Sequence, residues 1–177
     1  MFTIIICSDY EEVSNKAYAI IRDVVTTKPD CVLGLATGSS PLGIYKRMAE
    51  DHRDNGVSYK NVTTFNLDEY RGVDKGDPAG YFYFMEENLF SAVNLSPDAV
   101  HIQDAMEADA DRACEAYEQS ILDAGGIDLQ LLGLGANGHI GFNEPDDLFS
   151  DGCRCVSLAE STIDANSRFF PDRNQVP

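Results

Sequence analysis

Basic residues are scarce in this 177-residue sequence: 13 lysines and arginines stand against 30 aspartates and glutamates, a formal net charge of −17. A nucleic-acid binder needs a basic footprint to displace counterions from phosphates, so no nucleic-acid partner is expected. Long apolar runs are also missing. None approaches the ~18–20 residues of a membrane span, which predicts no membrane partner. The opening Met1-Phe2-Thr3-Ile4-Ile5-Ile6 has neither the basic region nor the small-residue cleavage site of an export signal. The cysteines number five, an odd count. Without an export signal they read as reduced thiols of a cytoplasmic protein. Cys153-x-Cys155 is too closely spaced for the usual zinc pair and reads as two small structural residues on one face of a strand. Repeats, linkers and low-complexity tracts are absent as well, so the expectation is one domain over residues 1–177.

What is present is ordinary globular text, 44% hydrophobic and 24% charged. Short apolar runs alternate with helical periods. Residues 2–7 read as a first strand. Ser8 and Glu11 have capping-box spacing ahead of a helix carrying Val13, Ala17, Ile20, Ile21, Val24 and Val25. Strands are expected at 31–36, 62–65, 100–102 and, most apolar of all, 127–134. Helices are expected from Pro41 onward, over 81–93 and over the acidic stretch 105–124. Beyond residue 149 the signal weakens to a strand at 154–158 and then polar text. Strands without polar alternation, separated by helices, predict an α/β fold: a Rossmann-like, doubly wound, mainly parallel sheet with helices on both faces. The polar ending where a further strand is due predicts that the C-terminal part of this sheet is missing.

Ligands of such sheets bind outside the carboxyl ends of the strands, and three of those ends carry unusual residues. Thr37-Gly38-Ser39-Ser40-Pro41 follows the second apolar run. Free N–H groups and two hydroxyls at a helix start make an anion cradle, or simply a capped turn. It is not a Walker loop, because no Gly-Lys-Ser/Thr follows. Neutral donors would also let an acidic chain hold an anion with few basic residues. Asn66-Leu67-Asp68-Glu69-Tyr70 follows the third run; its acidic pair is either a general base or solvated loop carboxylate. Gly133-Leu134-Gly135-Ala136-Asn137-Gly138 matches the dinucleotide fingerprint formally. That fingerprint must open a helix, whereas His139-Ile140-Gly141-Phe142-Asn143-Glu144-Pro145 has no helical period. The loop instead offers His139, Asn143 and Glu144 as an acid–base cluster. His52 and His101 read as surface or packing residues. Arg168, beside Phe169 and Phe170, either stacks on the core rim or clamps a phosphate.

Leu35-Ala36-Thr37-Gly38-Ser39-Ser40-Pro41, Phe65-Asn66-Leu67-Asp68-Glu69-Tyr70 and Gly138-His139-Ile140-Gly141-Phe142-Asn143-Glu144-Pro145 together resemble the glucosamine-6-phosphate deaminases. Ala165-Asn166-Ser167-Arg168-Phe169-Phe170 and Asn174-Gln175-Val176-Pro177 extend the resemblance along almost the whole chain. It implies deamination with aldose–ketose isomerisation of a small phosphorylated amino sugar, with neither metal nor organic cofactor, and leaves homo-oligomerisation open. Asp68 corresponds to the base that moves a proton from sugar carbon 2 to carbon 1. His139 corresponds to the group that opens the pyranose ring, and Glu144 to its partner carboxylate. Thr37, Gly38, Ser39, Ser40 and Arg168 correspond to phosphate-binding positions.

Two departures stand out. Asn137 occupies a position where the family has aspartate in an Asp–His–Glu relay. An amide cannot stabilise an imidazolium by charge, so His139 is expected to be less basic and ring opening to lean on Glu144. The family also continues beyond Asn-Gln-Val-Pro and supplies a phosphate-binding lysine there, so the 177 residues alone are expected to catalyse poorly. Allosteric members carry two basic residues one position apart after the Asn-Glu-Pro loop; Arg154 and Val156 stand there, which implies weak or no activation by N-acetylglucosamine 6-phosphate. The alternatives are a 6-phosphogluconolactonase-type hydrolase, which shares the sheet and the Gly-His but not Asn-Glu-Pro, and a non-catalytic sugar-phosphate-binding fragment.

Overall fold

Four consecutive apolar or small residues, Val32–Leu35 (β1), form the buried centre of a computed structural model of the chain. Residues 2–135, 137–147 and 151–177 are described; Ala136 of the glycine-rich loop and Phe149 in the late, weaker stretch lie outside the described residues. Thr63–Asn66 (β2) pairs in parallel with β1, Val32 opposite Thr63 and Leu35 opposite Asn66. Val100–His101 (β3) lies parallel beyond β2, and Leu129–Gln130 (β4) lies parallel on the other side of β1. The order β3-β2-β1-β4 reverses at β1. The crevice at the carboxyl ends of β1 and β4 is therefore the topological switch point, where such sheets bind ligands.

Both faces of the sheet are covered, as a parallel sheet requires. Helices Tyr10–Thr27 (α1), Leu42–Asn55 (α2) and Tyr81–Asn88 (α3) cover one face. Ile21, Val25, Ile44, Tyr45, Met48 and Met85 pack there on Leu33 and Leu35. Helix Ala110–Asp123 (α4) covers the other face, where Tyr117 packs on Val32 and Phe65. Neighbours along β1 thus serve opposite cores, which is the period-2 rule of a strand. Asp128 ties β4 to β1 from their amino ends. Its carboxylate accepts from the Val32 N–H at 2.8 Å and from Lys28 Nζ at 2.8 Å.

The doubly wound parallel sheet is the architecture expected from the sequence, but several element boundaries differ. Residues 2–7 form no strand; Phe2 is 99% and Ile6 91% exposed. An apolar run supplies side chains, not a ladder. β1 is already flanked by β2 and β4, and residues 2–7 pair with no described strand. The stretch 127–134 shrinks to the two residues of β4 for a related reason, since Leu132 and Leu134 stand at a sheet edge, exposed. The cap of α1 falls one residue later than the sequence spacing suggests: Asp9 accepts from the Glu12 N–H at 2.8 Å, while the Ser8 N–H donates to Glu12 Oε2 at 2.8 Å. Helix α4 starts five residues late because Asp109 caps it, accepting from the Asp111 and Arg112 N–H groups at 3.1 and 3.2 Å. No strand forms at 154–158, so Cys153 and Cys155 are not strand neighbours. Instead the polar text beyond holds a short helix, Glu160–Asn166 (α5).

Candidate active site

Past β1 the chain turns through Thr37, Gly38, Ser39 and Ser40 into α2. Two tyrosine hydroxyls hold this turn from behind. Tyr45, fully buried, accepts from the Ala36 N–H at 3.2 Å and donates to the Ala36 carbonyl. Tyr10 accepts from the Gly43 N–H at 2.7 Å and lies 3.1 Å from each of the Ser39 and Ser40 carbonyls. Those carbonyls therefore face α1, and among the described residues no protein acceptor takes the N–H of Gly38, Ser39, Ser40 or Leu42. A helix start with spare N–H donors is an anion cradle rather than a merely capped turn.

Past β2 stand the two neighbouring carboxylates, and their environments separate them. Glu69 belongs to the frame: its carboxylate accepts from the N–H groups of Tyr70 at 2.8 Å, Tyr81 at 2.9 Å and Phe82 at 2.9 Å, so it caps the start of α3. Burial raises its pKa, and those three donors pull the other way. Asp68 receives no hydrogen bond among the described residues. Burial pushes its pKa to about 7, and the charge of Glu69 adds to the shift. A carboxylate with that pKa and no partner is suited to moving a proton at neutral pH.

The third strand end brings the loop with His139. As the sequence indicated, no helix follows its glycines; Ile140 and Asn143 instead exchange backbone bonds in a tight bridge. The Asn137 Nδ2 group donates to Glu144 Oε2 at 2.6 Å, and Thr162 of α5 donates to Glu144 Oε1 at 3.0 Å. Asn137 Oδ1 lies 2.6 Å from His139 Nδ1. The carboxylate can only accept, so the Asn137 amide nitrogen must face it, and its oxygen faces the imidazole. His139 Nδ1 then carries the proton and Nε2 keeps the lone pair. Asn137 thus fixes the tautomer without a charge. Glu144, Asn137 and His139 thus form one continuous chain of contacts, with Asn137 in the middle.

Two glycines let these groups meet. A Cβ at Gly135 would overlap the His139 ring. At Gly141, with φ +59°, a Cβ would stand 2.9 Å from Asp68 Oδ2 and 2.9 Å from Leu67 Cδ2, so the Asp68 carboxylate rests directly on the His139–Glu144 loop. Aromatic rings join the rest. Tyr70 packs on Tyr81 (4.9 Å between centroids), Phe142 (5.1 Å) and Phe170 (5.3 Å). The Tyr81 hydroxyl donates to the Tyr70 hydroxyl at 3.3 Å, and the Arg168 charge acts on Tyr70. His101 stacks on Phe65 at 4.6 Å, and His52 bonds the Val57 carbonyl at 2.7 Å; both are packing residues.

The family model for glucosamine-6-phosphate isomerases and 6-phosphogluconolactonases matches residues 10–166. A glucosamine-6-phosphate deaminase of Geobacillus sp. (strain WCH70) is 53% identical over 170 residues, which are 96% of this chain and 68% of that protein. The chain belongs to the glucosamine-6-phosphate isomerase/6-phosphogluconolactonase family. Within it, a solved monomeric glucosamine-6-phosphate deaminase superposes with a TM-score of 0.95 at 41% identity, covering 99% of this chain and 73% of the other. The 6-phosphogluconolactonase of Thermotoga maritima superposes with a TM-score of 0.64 at 26% identity, covering 80% and 63%. Inside this family frame, residue reasoning missed Tyr10 and Tyr45 behind the cradle and Thr162 on Glu144. The buried Asn66, 2% exposed at the end of β2, has both side-chain amide atoms without a described partner. It opens Asn66-Leu67-Asp68-Glu69-Tyr70 directly after an apolar run, the only signal the sequence offers for it.

Proposed function

We propose that this chain converts glucosamine 6-phosphate and water to fructose 6-phosphate and ammonium. The observation that carries the proposal is the near-neutral, unpartnered Asp68 carboxylate resting on the loop of the His139–Asn137–Glu144 relay. The reading also draws on the deaminases to which the chain is similar. The cradle of Thr37, Gly38, Ser39 and Ser40 holds the phosphate, and Arg168 supplies its counter-charge. His139 Nε2 takes the O1 proton of the cyclic sugar, and the ring oxygen is protonated as the ring opens. The aldehyde at carbon 1 then acidifies the carbon 2 proton, which Asp68 removes and returns to carbon 1. Carbon 2 becomes an imine, and water hydrolyses it to the ketone with loss of ammonium. Well-placed acid–base groups of this kind are each worth roughly 100- to 10,000-fold in rate. The five cysteines are unpaired, in keeping with a cytoplasmic setting.

Ammonium and fructose 6-phosphate release is measured from the 177-residue chain and from a form extended with the remainder of the Geobacillus sequence. Stoichiometric release of both products is expected, faster from the extended form. Hydrolysis of 6-phosphogluconolactone without ammonium release from either form would overturn the proposal in favour of the lactonase reaction.

A further inference from the structure

A cavity of about 310 Å³ opens between α4, the end of β2 and the segment 152–158, and Cys114, Tyr117, Glu118 and Cys153 line it. Cys114, Tyr117 and Glu118 are spaced i, i+3 and i+4 on α4 and so share one face of that helix. Cys153 is fixed to this face twice. Its N–H donates to Glu118 Oε1 at 2.5 Å, and its side chain packs in the cluster of Val32, Phe65 and Tyr117. The third member of the face is Cys114. We propose that Cys114 and Cys153 form a modification site, a thiol pair that a small-molecule disulfide oxidises to an intrachain disulfide.

Burial, together with the neighbouring Cys114 thiol, pushes the Cys153 thiol up to about 12, so it stays protonated at neutral pH. Cys114 therefore reacts first. Its thiolate attacks the reagent RSSR, a Cys114–SR bond forms and RS⁻ leaves to take a proton. Cys153 then loses its proton to solvent and attacks the Cys114 sulfur, which releases the second RS⁻. Two protein thiols give up two electrons and the reagent disulfide becomes two thiols. The bond ties the 152–158 segment to α4. That segment carries Arg154, which donates to Asn143 Oδ1 at 3.1 Å beside Glu144. Gln103, whose amide donates to the Leu67 carbonyl at 3.0 Å beside Asp68, lines the same cavity. The disulfide thus sits in a cavity that Asp68 and Asn143 also line.

The test incubates the reduced chain with excess oxidised glutathione, alkylates remaining thiols after unfolding and maps the non-reduced peptides by mass. This readout needs no enzymatic activity and so is independent of the proposed reaction. The expected map joins the Cys114 and Cys153 peptides, two hydrogens lighter than their sum, with Cys7 and Cys31 alkylated. Cys155→Ser keeps the link, whereas Cys153→Ser loses it and leaves glutathione on Cys114. Lasting glutathione adducts on Cys114 or Cys153 of the parent, a link through Cys155, or two unreacted thiols would each overturn the proposal.

Discussion

Replacing Asp68 by asparagine is expected to lower kcat by roughly 100- to 10,000-fold while leaving KM for glucosamine 6-phosphate nearly unchanged. The substitution keeps shape and removes only the base, and the phosphate cradle lies at the end of a different strand. Stability should move the other way. In the folded chain the Asp68 carboxyl has a pKa of about 7, against an ordinary 3.8. Between those values the folded state holds a proton that the unfolded state has lost, so the parent loses stability as pH rises through this window. The variant has no such loss. Its melting temperature should therefore rise relative to the parent's from acid pH to about 7 and then level off. Steady-state kinetics and melting at pH 5 and pH 8 check both effects. Turnover within about tenfold of the parent would remove Asp68 from the base role.

Gly135→Ala is expected to be nearly as damaging to activity and nearly silent in stability. Gly135 is not among the residues with positive φ, so alanine suits its backbone. Only the His139 ring objects, and that ring, the end of a side chain, can swing away. Swinging breaks the contact between His139 Nδ1 and Asn137 Oδ1, and ring opening loses its placed base. We expect kcat/KM to fall by roughly 100-fold, the lower end for an acid–base group, with a melting temperature close to the parent's. Gly141→Ala is the contrast, because there a positive φ and the crowded Asp68 carboxylate act together, and stability falls as well. A Gly135→Ala chain with parental kcat/KM would show that the position of the imidazole does not matter.

The sheet and its ligand-binding end were legible because they depend on short-range text. Apolar runs gave β1 and β2, and the residues after them gave the cradle, the carboxylate pair and the His139 loop. What escaped depends on distant partners. Asp68 and Glu69 look alike in sequence; only the N–H groups of Tyr81 and Phe82, twelve and thirteen residues on, draw Glu69 into the frame. Tyr10 braces a turn 29 residues away. The sequence puts Asn137, His139 and Glu144 in one loop, and only the folded loop shows Asn137 standing between the other two. Residues 2–7 misled in the opposite direction. Hydropathy marks them as a strand, but pairing is a property of neighbours, and β1 has its two elsewhere.

Asp68, brought near neutrality by burial, is the proposed base of the reaction. This role is tested most directly by the pH dependence of kcat/KM for ammonium release, measured in the parent and in Asp68→Asn. The parent rate is expected to rise with pH through one deprotonation with a midpoint of about 7. The residual rate of the variant should lack that step. A parental rate that is flat from about pH 5 upward, as an ordinary aspartate would give, or a rise unchanged in the variant, would exclude Asp68 as that base.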